Sequence, residues 1–128
     1  MYSKQAALAQ YRKIDSESAV QGASPHRLIQ MLLNGALDRL NKAVSAFEAN
    51  NIERKGVNLG QAISIVAGLQ SSLDAEKGNE IAENLDKLYD YMQRRLLEAN
   101  MKNDMAMVKE VSGLLLTVKS SWDAIAPA

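Results

Sequence analysis

The chain has 128 residues, of which 47% are hydrophobic and 5% aromatic, with 15 basic and 15 acidic side chains and no cysteine. These totals predict one domain with an aliphatic, helical core, and they exclude disulfides, thiol catalysis and thiolate metal sites. The net charge of zero gives no field that would draw the protein to nucleic acid or to an anionic membrane surface. No run of about 18 apolar residues occurs and the start has no processing site, so we expect a cytoplasmic protein without membrane insertion.

The start of the chain differs from the remainder. Residues 3–14 could form about three helical turns, whereas residues 15–23 are rich in serine, glycine and charged side chains. Such a composition favours a loose segment. We therefore predict a mobile N-terminal arm over residues 1–23, with a short helical part, followed by a helical domain over residues 24–128.

The first long helix is predicted to begin at Pro25 and to end near Asn50. Ser24 can act as the N-cap residue, and proline at the first helical position loses no hydrogen bond. The apolar residues that follow are spaced alternately by four and three, which is typical of a helix packed against other helices. They are Ile29, Leu33, Ala36, Leu40, Ala43 and Phe47.

A second helix is predicted after the short interruption at Asn50 and Asn51. Its apolar residues also share one face of a helix. They are Leu59, Ala62 or Ile63, Val66, Leu69 and Leu73. Because the link is short, we expect this helix to run antiparallel to the first one.

Two further helices complete the predicted fold. Gly78 ends the preceding segment, and Asn79 or Glu80 suits the start of a third helix that ends near Asn100. Asp104 is a good N-cap for a fourth helix, which Pro127 ends. The apolar face is Ile81, Leu85, Leu88, Met92 and Ala99 in the third helix, and Val108, Val111, Leu115, Val118, Trp122 and Ile125 in the fourth. Short links between four helices predict an all-α fold, an antiparallel up-down-up-down four-helix bundle with a short N-terminal helical arm.

Residues with catalytic or metal-binding chemistry are scarce in this sequence. A di-iron site in a bundle would need Glu-x-x-His pairs, and the sequence has none. His26, the only histidine, lies at the first turn of a helix and is expected to have a surface or capping role. No glycine-rich loop joins a strand to a helix. We therefore expect no catalytic residue, no metal site, no cofactor and no enzyme activity.

The third helix has more apolar surface than one neighbour could cover, with an apolar arc of about 160°. Two neighbouring helices could cover that arc, but Leu97 projects outside it. Arg95 lies inside it beside Tyr91, where it either pairs within the fold or contacts a partner. Outlying apolar residues occur on the other helices too, at Ile65 and Leu116. Together with methionines at positions 101, 105 and 107, they suggest a groove for an amphipathic segment of a partner.

Short segments spread along nearly the whole chain form a specific pattern. They are Ala23-Ser24-Pro25, Leu28 to Leu32 with Gly35-Ala36, Leu73-Asp74, Glu76 to Gly78, Glu80 to Ala82, Asn84-Leu85, Leu88 to Met92, Arg94 to Leu96, Glu98 to Asn100, and Lys102 to Asp104. This pattern resembles the flagellar secretion chaperone family FliS, above all in residues 88–104. Trp122 near the end of the last helix also matches that family, as do Leu8 and Tyr11 in the arm.

The resemblance implies a cytoplasmic chaperone for flagellin, the subunit of the flagellar filament. Such a protein binds the disordered C-terminal segment of flagellin, prevents early polymerisation, and delivers flagellin to a component of the flagellar type III export gate. The resemblance also implies that Leu8 and Tyr11 hold the arm over the groove when flagellin is absent. The alternative for the arm is an inert, frayed terminus.

The residues expected to contact a partner follow from the helical wheel and from the resemblance together. The chain departs from the family at Leu33 and Asn34, where an aromatic and an acidic residue are frequent, and Leu33 is included for that reason. The predicted partner-binding residues are Leu8, Tyr11, Leu33, Ile65, Tyr91, Arg95, Asn100 and Asn103.

A rival interpretation is a helical adaptor or regulator that binds a folded partner such as an anti-sigma factor. Both interpretations are compatible with a homodimer of the free protein.

Overall fold

The computed structural model describes residues 22–73 and 79–125. Leu8, Tyr11 and almost all of the predicted arm lie outside the described residues, as does Gly78. The described residues form four helices: α1 (Pro25–Glu48), α2 (Ile52–Ser71), α3 (Glu80–Lys102) and α4 (Met105–Ala124). The predicted all-α four-helix bundle is confirmed.

The four helices follow one another around the bundle in chain order. α1 packs against α2 and α4, and α3 packs against the same two helices. Residues 49–51 join α1 to α2, and residues 103–104 join α3 to α4. Contacts between helix ends fix the antiparallel direction, because His26 near the start of α1 stacks on Trp122 near the end of α4. The topology is therefore up-down-up-down, as predicted.

Each helix begins at a side chain that caps its free backbone N–H groups. The Ser24 hydroxyl accepts from the Arg27 N–H at 3.1 Å, and the Asn51 amide oxygen accepts from Arg54 at the same distance. Asn79 and Asp104 cap α3 and α4 in the same way. The predicted caps at Ser24 and Asp104 are thus confirmed. A cap of this kind stabilises a protein by about 1 kcal/mol.

Asparagine also ends two of the helices. Asn50 and Asn103 have φ values of 54° and 53°, in the left-handed region. Asparagine tolerates this region better than most residues. The Asn103 N–H donates to the carbonyl of Ala99. These two residues make the tight turns that reverse the chain after α1 and after α3.

The core lies along the predicted apolar faces, with departures at two helix ends and at Ile65 in α2. The fully buried side chains include Leu33, Ala36, Leu40 and Ala43 from α1, Leu59, Ala62, Val66 and Leu69 from α2, Met92, Leu96 and Ala99 from α3, and Val108, Val111 and Leu115 from α4. The predictions for Ile81 and Ile125 are wrong, since these side chains are 71% and 65% exposed. Ile81 lies in the first turn of α3 and Ile125 follows α4, where the neighbouring helices also end and cannot cover them.

Candidate partner-binding surface

Two of the predicted partner-binding residues lie in the core. Leu33 is 0% exposed and Ile65 is 6% exposed, so both side chains pack inside the bundle and their contact with a partner stays a prediction. Ile65 was placed off the apolar face of its helix. It nevertheless follows Ala62 by three residues and precedes Leu69 by four, which puts the three side chains on one helical stripe. α2 is buried on several sides, and even Ser64 is 3% exposed.

Tyr91 and Arg95 belong to a polar network that joins α3 to α4. The Tyr91 hydroxyl donates to one carboxylate oxygen of Glu110 at 2.5 Å, and Arg95 Nε donates to the other at 2.8 Å. Arg95 also donates to Glu98 at 3.0 Å, and Glu98 accepts from Lys102 at 3.0 Å. Arg95 therefore pairs within the fold, which was one of its two predicted roles.

The network favours the charged forms of its two carboxylates. The hydrogen bond from Tyr91, followed by that from Arg95, lowers the pKa of Glu110. Lys102, followed by Arg95, lowers the pKa of Glu98. Arg95 is thus bonded to carboxylates on two sides. Its charge is therefore already paired within the fold, and a partner carboxylate would compete with two existing ion pairs for it.

Asn100 and Asn103 meet a buried lysine that sequence reasoning missed. Lys55, in the first turns of α2, is 6% exposed. Its ammonium group donates to the Asn103 amide oxygen at 2.9 Å and lies 3.4 Å from the Asn100 carbonyl. It also lies 5.2 Å from the centroid of the Phe47 ring. We call this arrangement the Lys55 clasp, since it joins the end of α1, the start of α2 and the end of α3.

Several apolar side chains remain outside after the core is filled. Leu97 is 54% exposed and Met101 is 80% exposed, and they lie one turn apart on α3. Ile52 at the start of α2 is 76% exposed, and the Lys55 clasp holds that end of α2 against the end of α3. We call Ile52, Leu97 and Met101 the α3 apolar surface. Leu97 was predicted to lie off the core face and is confirmed there, whereas Ile52 was missed because a helix's first residue has no periodic signal.

Leu116 on α4 is the other apolar residue predicted to lie off its face. It is 55% exposed, which confirms that prediction. It is carried by α4, which packs against α1 and α3 and is not held by the Lys55 clasp. Leu116 is therefore an exposed leucine on a helix that carries none of the three residues of the α3 apolar surface.

The opposite end of the bundle is closed by an aromatic contact. The rings of His26 and Trp122 stack with their centroids 4.5 Å apart and their planes 9° apart. Trp122 Nε1 donates to the His26 carbonyl at 3.0 Å, and Asp123 accepts from Gln30 at 2.8 Å. His26 is therefore half-buried against Trp122 and not simply a surface residue, because the end of α4 covers the first turn of α1.

The described residues offer no site for metal chemistry or for crossing a membrane. Within residues 22–73 and 79–125, no three histidine, cysteine or acidic side chains are grouped so that they could hold a metal ion. Over the same part of the chain, every helix is too short or too polar to cross a lipid bilayer. What this surface can do chemically is bury the apolar side chains of another molecule and form hydrogen bonds at the margin.

A family model described as Flagellar protein FliS matches residues 7–128 of this chain. The match spans nearly the whole sequence. This chain belongs to the FliS family. The resemblance, which rests on residues 23–104 together with Leu8, Tyr11 and Trp122, is therefore confirmed.

Relatives within the FliS family share between about a third and a half of their residues with this chain. The identity is 50% over 125 residues with the flagellar secretion chaperone FliSB of Pseudomonas aeruginosa, covering 98% of each protein. It is 48% over 118 residues with the flagellar secretion chaperone FliS of Salmonella typhimurium, covering 91% of this chain and 87% of the relative. It is 42% over 120 residues with the flagellar secretion chaperone FliS of Vibrio cholerae, covering 94% and 88%. These names describe chaperones and not enzymes.

Proposed function

We propose that this protein is a cytoplasmic chaperone for flagellin export. It binds the disordered C-terminal segment of newly made flagellin, prevents premature polymerisation, and delivers flagellin to a component of the flagellar type III export gate. Membership of the FliS family supports the chaperone role, since the relatives are named flagellar secretion chaperones. The structure supports a role in binding an amphipathic segment, since apolar side chains of α3 remain exposed.

The observation that carries the proposal is the exposed pair Leu97 and Met101. A spacing of four residues puts both side chains on one face of α3, and more than half of each is exposed. Asp90 and Arg94 pair with each other beside them and supply a polar margin. An amphipathic helix recognises such a surface by laying its apolar side against it. Methionine suits this role because its flexible side chain adapts to the shape of the partner.

The energetics of such a complex favour reversible holding. Flagellin's C-terminal segment would have to become ordered as it binds, which costs about 2 to 5 kcal/mol of the interaction energy. The exposed apolar side chains return roughly 25 cal/mol for each Å² of apolar surface they bury. Because the cost of ordering the client offsets much of the free energy gained by apolar burial, the client can leave without ATP hydrolysis. A rigid bundle that binds an extended client in this way prevents polymerisation without refolding it.

A titration with matched variants tests this proposal. A peptide of the flagellin C-terminal segment is titrated into the full chain by calorimetry, with L97S/M101S as the test variant and L116S as its control. Both variants replace exposed leucine, so their stability should stay close to that of the unmodified protein. We expect a single-site complex whose affinity falls at least about tenfold in L97S/M101S, since two buried apolar contacts are lost, and changes little in L116S.

Two outcomes of the titration, and one of a parallel titration with a folded anti-sigma factor, would count against parts of the proposal. Equal affinity of both variants for the peptide would indicate that the client binds another face of the bundle. If the unmodified protein forms no complex with the peptide, the rival adaptor interpretation is favoured. Binding of a folded anti-sigma factor would support that rival interpretation.

A variant lacking residues 2–14 extends the experiment to the arm, since an arm that covers the surface predicts tighter client binding after its removal.

A further inference from the structure

We propose that Lys55 is a positioning residue for the client site, an inference that rests on the proposed function. The Lys55 clasp would fix the start of α2 relative to the end of α3, and with it the spacing of Ile52 and Met101. Lys55 would not touch the client, because its side chain lies within the bundle. Its effect on binding would pass through the two exposed residues on either side of the clasp.

The contacts of Lys55 reach the three chain segments that meet at this end. Lys55 follows Ile52 by three residues, so both belong to the first turn of α2. Met101 lies between Asn100 and Asn103, the two residues that accept from the Lys55 ammonium group. Phe47, at the end of α1, faces the same ammonium group. A shift of Lys55 would therefore move Ile52 against Met101.

The chemistry of the clasp also favours a positioning role over a purely stabilising one. A buried ammonium loses hydration, and its hydrogen bonds and the negative end of the α3 dipole offset that loss only in part. Replacing a buried ion pair by apolar side chains of similar size is often neutral for stability, and Lys55→Met likewise leaves no buried charge behind, since the acceptors of Lys55 are uncharged. Hydrogen bonds do, however, fix direction and distance, which apolar packing does less strictly. The expected consequence of removing the clasp is a change of geometry at this end.

The two sides of the clasp can be removed independently. Lys55→Met keeps an unbranched apolar stem beside Phe47 and removes the donor. Asn103→Gly removes the acceptor, and glycine adopts without strain the conformation of Asn103, with φ 53° and ψ 47°. Lys119→Met is the matched control, since Lys119 pairs with Asp123 in the last turns of α4, at the opposite end of the bundle.

Calorimetric titration of the full-length proteins with the flagellin C-terminal peptide tests the proposal. We expect Lys55→Met and Asn103→Gly each to weaken binding by about threefold to thirtyfold. The double variant should bind no more weakly than the weaker single variant, because both changes remove one interaction. Lys119→Met should bind like the unmodified protein. Unchanged affinity in either clasp variant, or losses that add in the double variant, would overturn the proposal.

A second readout in the free protein separates this proposal from the proposed function. Methyl resonances of Ile52 and Met101 should shift, and the amide of Asn103 should exchange faster, in Lys55→Met but not in Lys119→Met. If the unmodified protein binds no flagellin peptide, the function proposal fails whatever the clasp does. If it binds, and Lys55→Met leaves both methyl groups unchanged, the positioning role is wrong while the function stands.

Discussion

The first two helices and the last two use their side chains very differently. α1 and α2 bury eight and nine residues, whereas α3 and α4 bury five and three. All four buried polar residues of the described chain, Arg39, Lys55, Asn58 and Ser64, also belong to the first pair. α3 and α4 are instead joined at their surface by the network around Glu110.

This difference indicates a division of roles between the two helix pairs. Regions with few buried contacts open more easily than regions with many. The pair α1 and α2 therefore contributes most of the packing that holds the fold. The pair α3 and α4 buries fewer side chains and presents Leu97, Met101 and Leu116 to solvent. The candidate binding surface therefore lies mainly on α3, with the exposed Ile52 of α2 beside it, whereas the first pair supplies most of the packing.

The strongest test of this comparison removes one leucine from each pair. Leu59 in α2 is 1% exposed, and Leu97 in α3 is 54% exposed. Leu59→Ala should lower the free energy of unfolding by about 2 to 5 kcal/mol, since it removes buried methyl groups and leaves a cavity. Leu97→Ala should change it by less than about 0.5 kcal/mol. Urea unfolding followed by circular dichroism measures both values, and similar losses would contradict the unequal burial on which the comparison of the two pairs rests.

Much of this fold could be predicted from the sequence because helix periodicity and capping are local properties. Alternating spacings of three and four residues identified Leu40 and Leu115 as core, and Ser24 and Asp104 identified helix starts. Ile81 and Ile125 were assigned wrongly, since periodicity does not say where neighbouring helices end. Thus the errors lie where tertiary contacts, and not the local sequence, decide burial.

The candidate site was harder to predict because it depends on residues far apart in sequence. Lys55 meets Asn103 across 48 positions, and Arg95 meets Glu110 across 15. No local pattern marks a lysine in a polar helix start as buried. Asn100 and Asn103 were identified through the family resemblance, and the structure then places them in the Lys55 clasp. Leu33 and Ile65 show the opposite case, since both were predicted to contact a partner and both are buried.

A second test concerns Tyr89, a buried aromatic side chain that α3 contributes to the core. Burial raises the pKa of its phenol from 10.0 to about 12. Because the folded-state value is the higher one, the folded protein holds its proton more tightly, and stability falls as the pH rises from about 10 towards 12. The loss should approach about 3 kcal/mol, which corresponds to a pKa difference of about two.

Urea unfolding between pH 8 and pH 11 measures the first half of this loss, about 1.4 kcal/mol, with Tyr89→Phe as the reference variant. Phenylalanine keeps the ring and has no proton to lose. The stability of Tyr89→Phe should therefore decline less steeply than that of the unmodified protein. Parallel curves would show that Tyr89 reaches solvent and that the core at α3 is looser than its burial indicates.

The smallest effect is expected in the surface network that joins α3 to α4. The pKa of Glu110 is lowered by Tyr91 and Arg95, so its folded-state value lies below the ordinary 4.5. The stabilisation is therefore complete above that ordinary value and is lost as the pH falls through the lower, folded-state value. Exposed ion pairs contribute little each, so the change should be a small shift of the urea midpoint.

Comparing the unmodified protein with Glu110→Gln at pH 7 and in acid measures that contribution. The unmodified protein should be the more stable one at pH 7, and the gap should shrink as Glu110 becomes protonated. Asp90→Asn is the control, because its ion pair with Arg94 lies within α3 and joins no two helices, so its effect at pH 7 should be smaller. If the difference in stability between the two proteins stays the same in acid, Glu110 acts through packing or geometry and not through its charge. The surface network would then not be the electrostatic link that distinguishes α3 and α4 from α1 and α2.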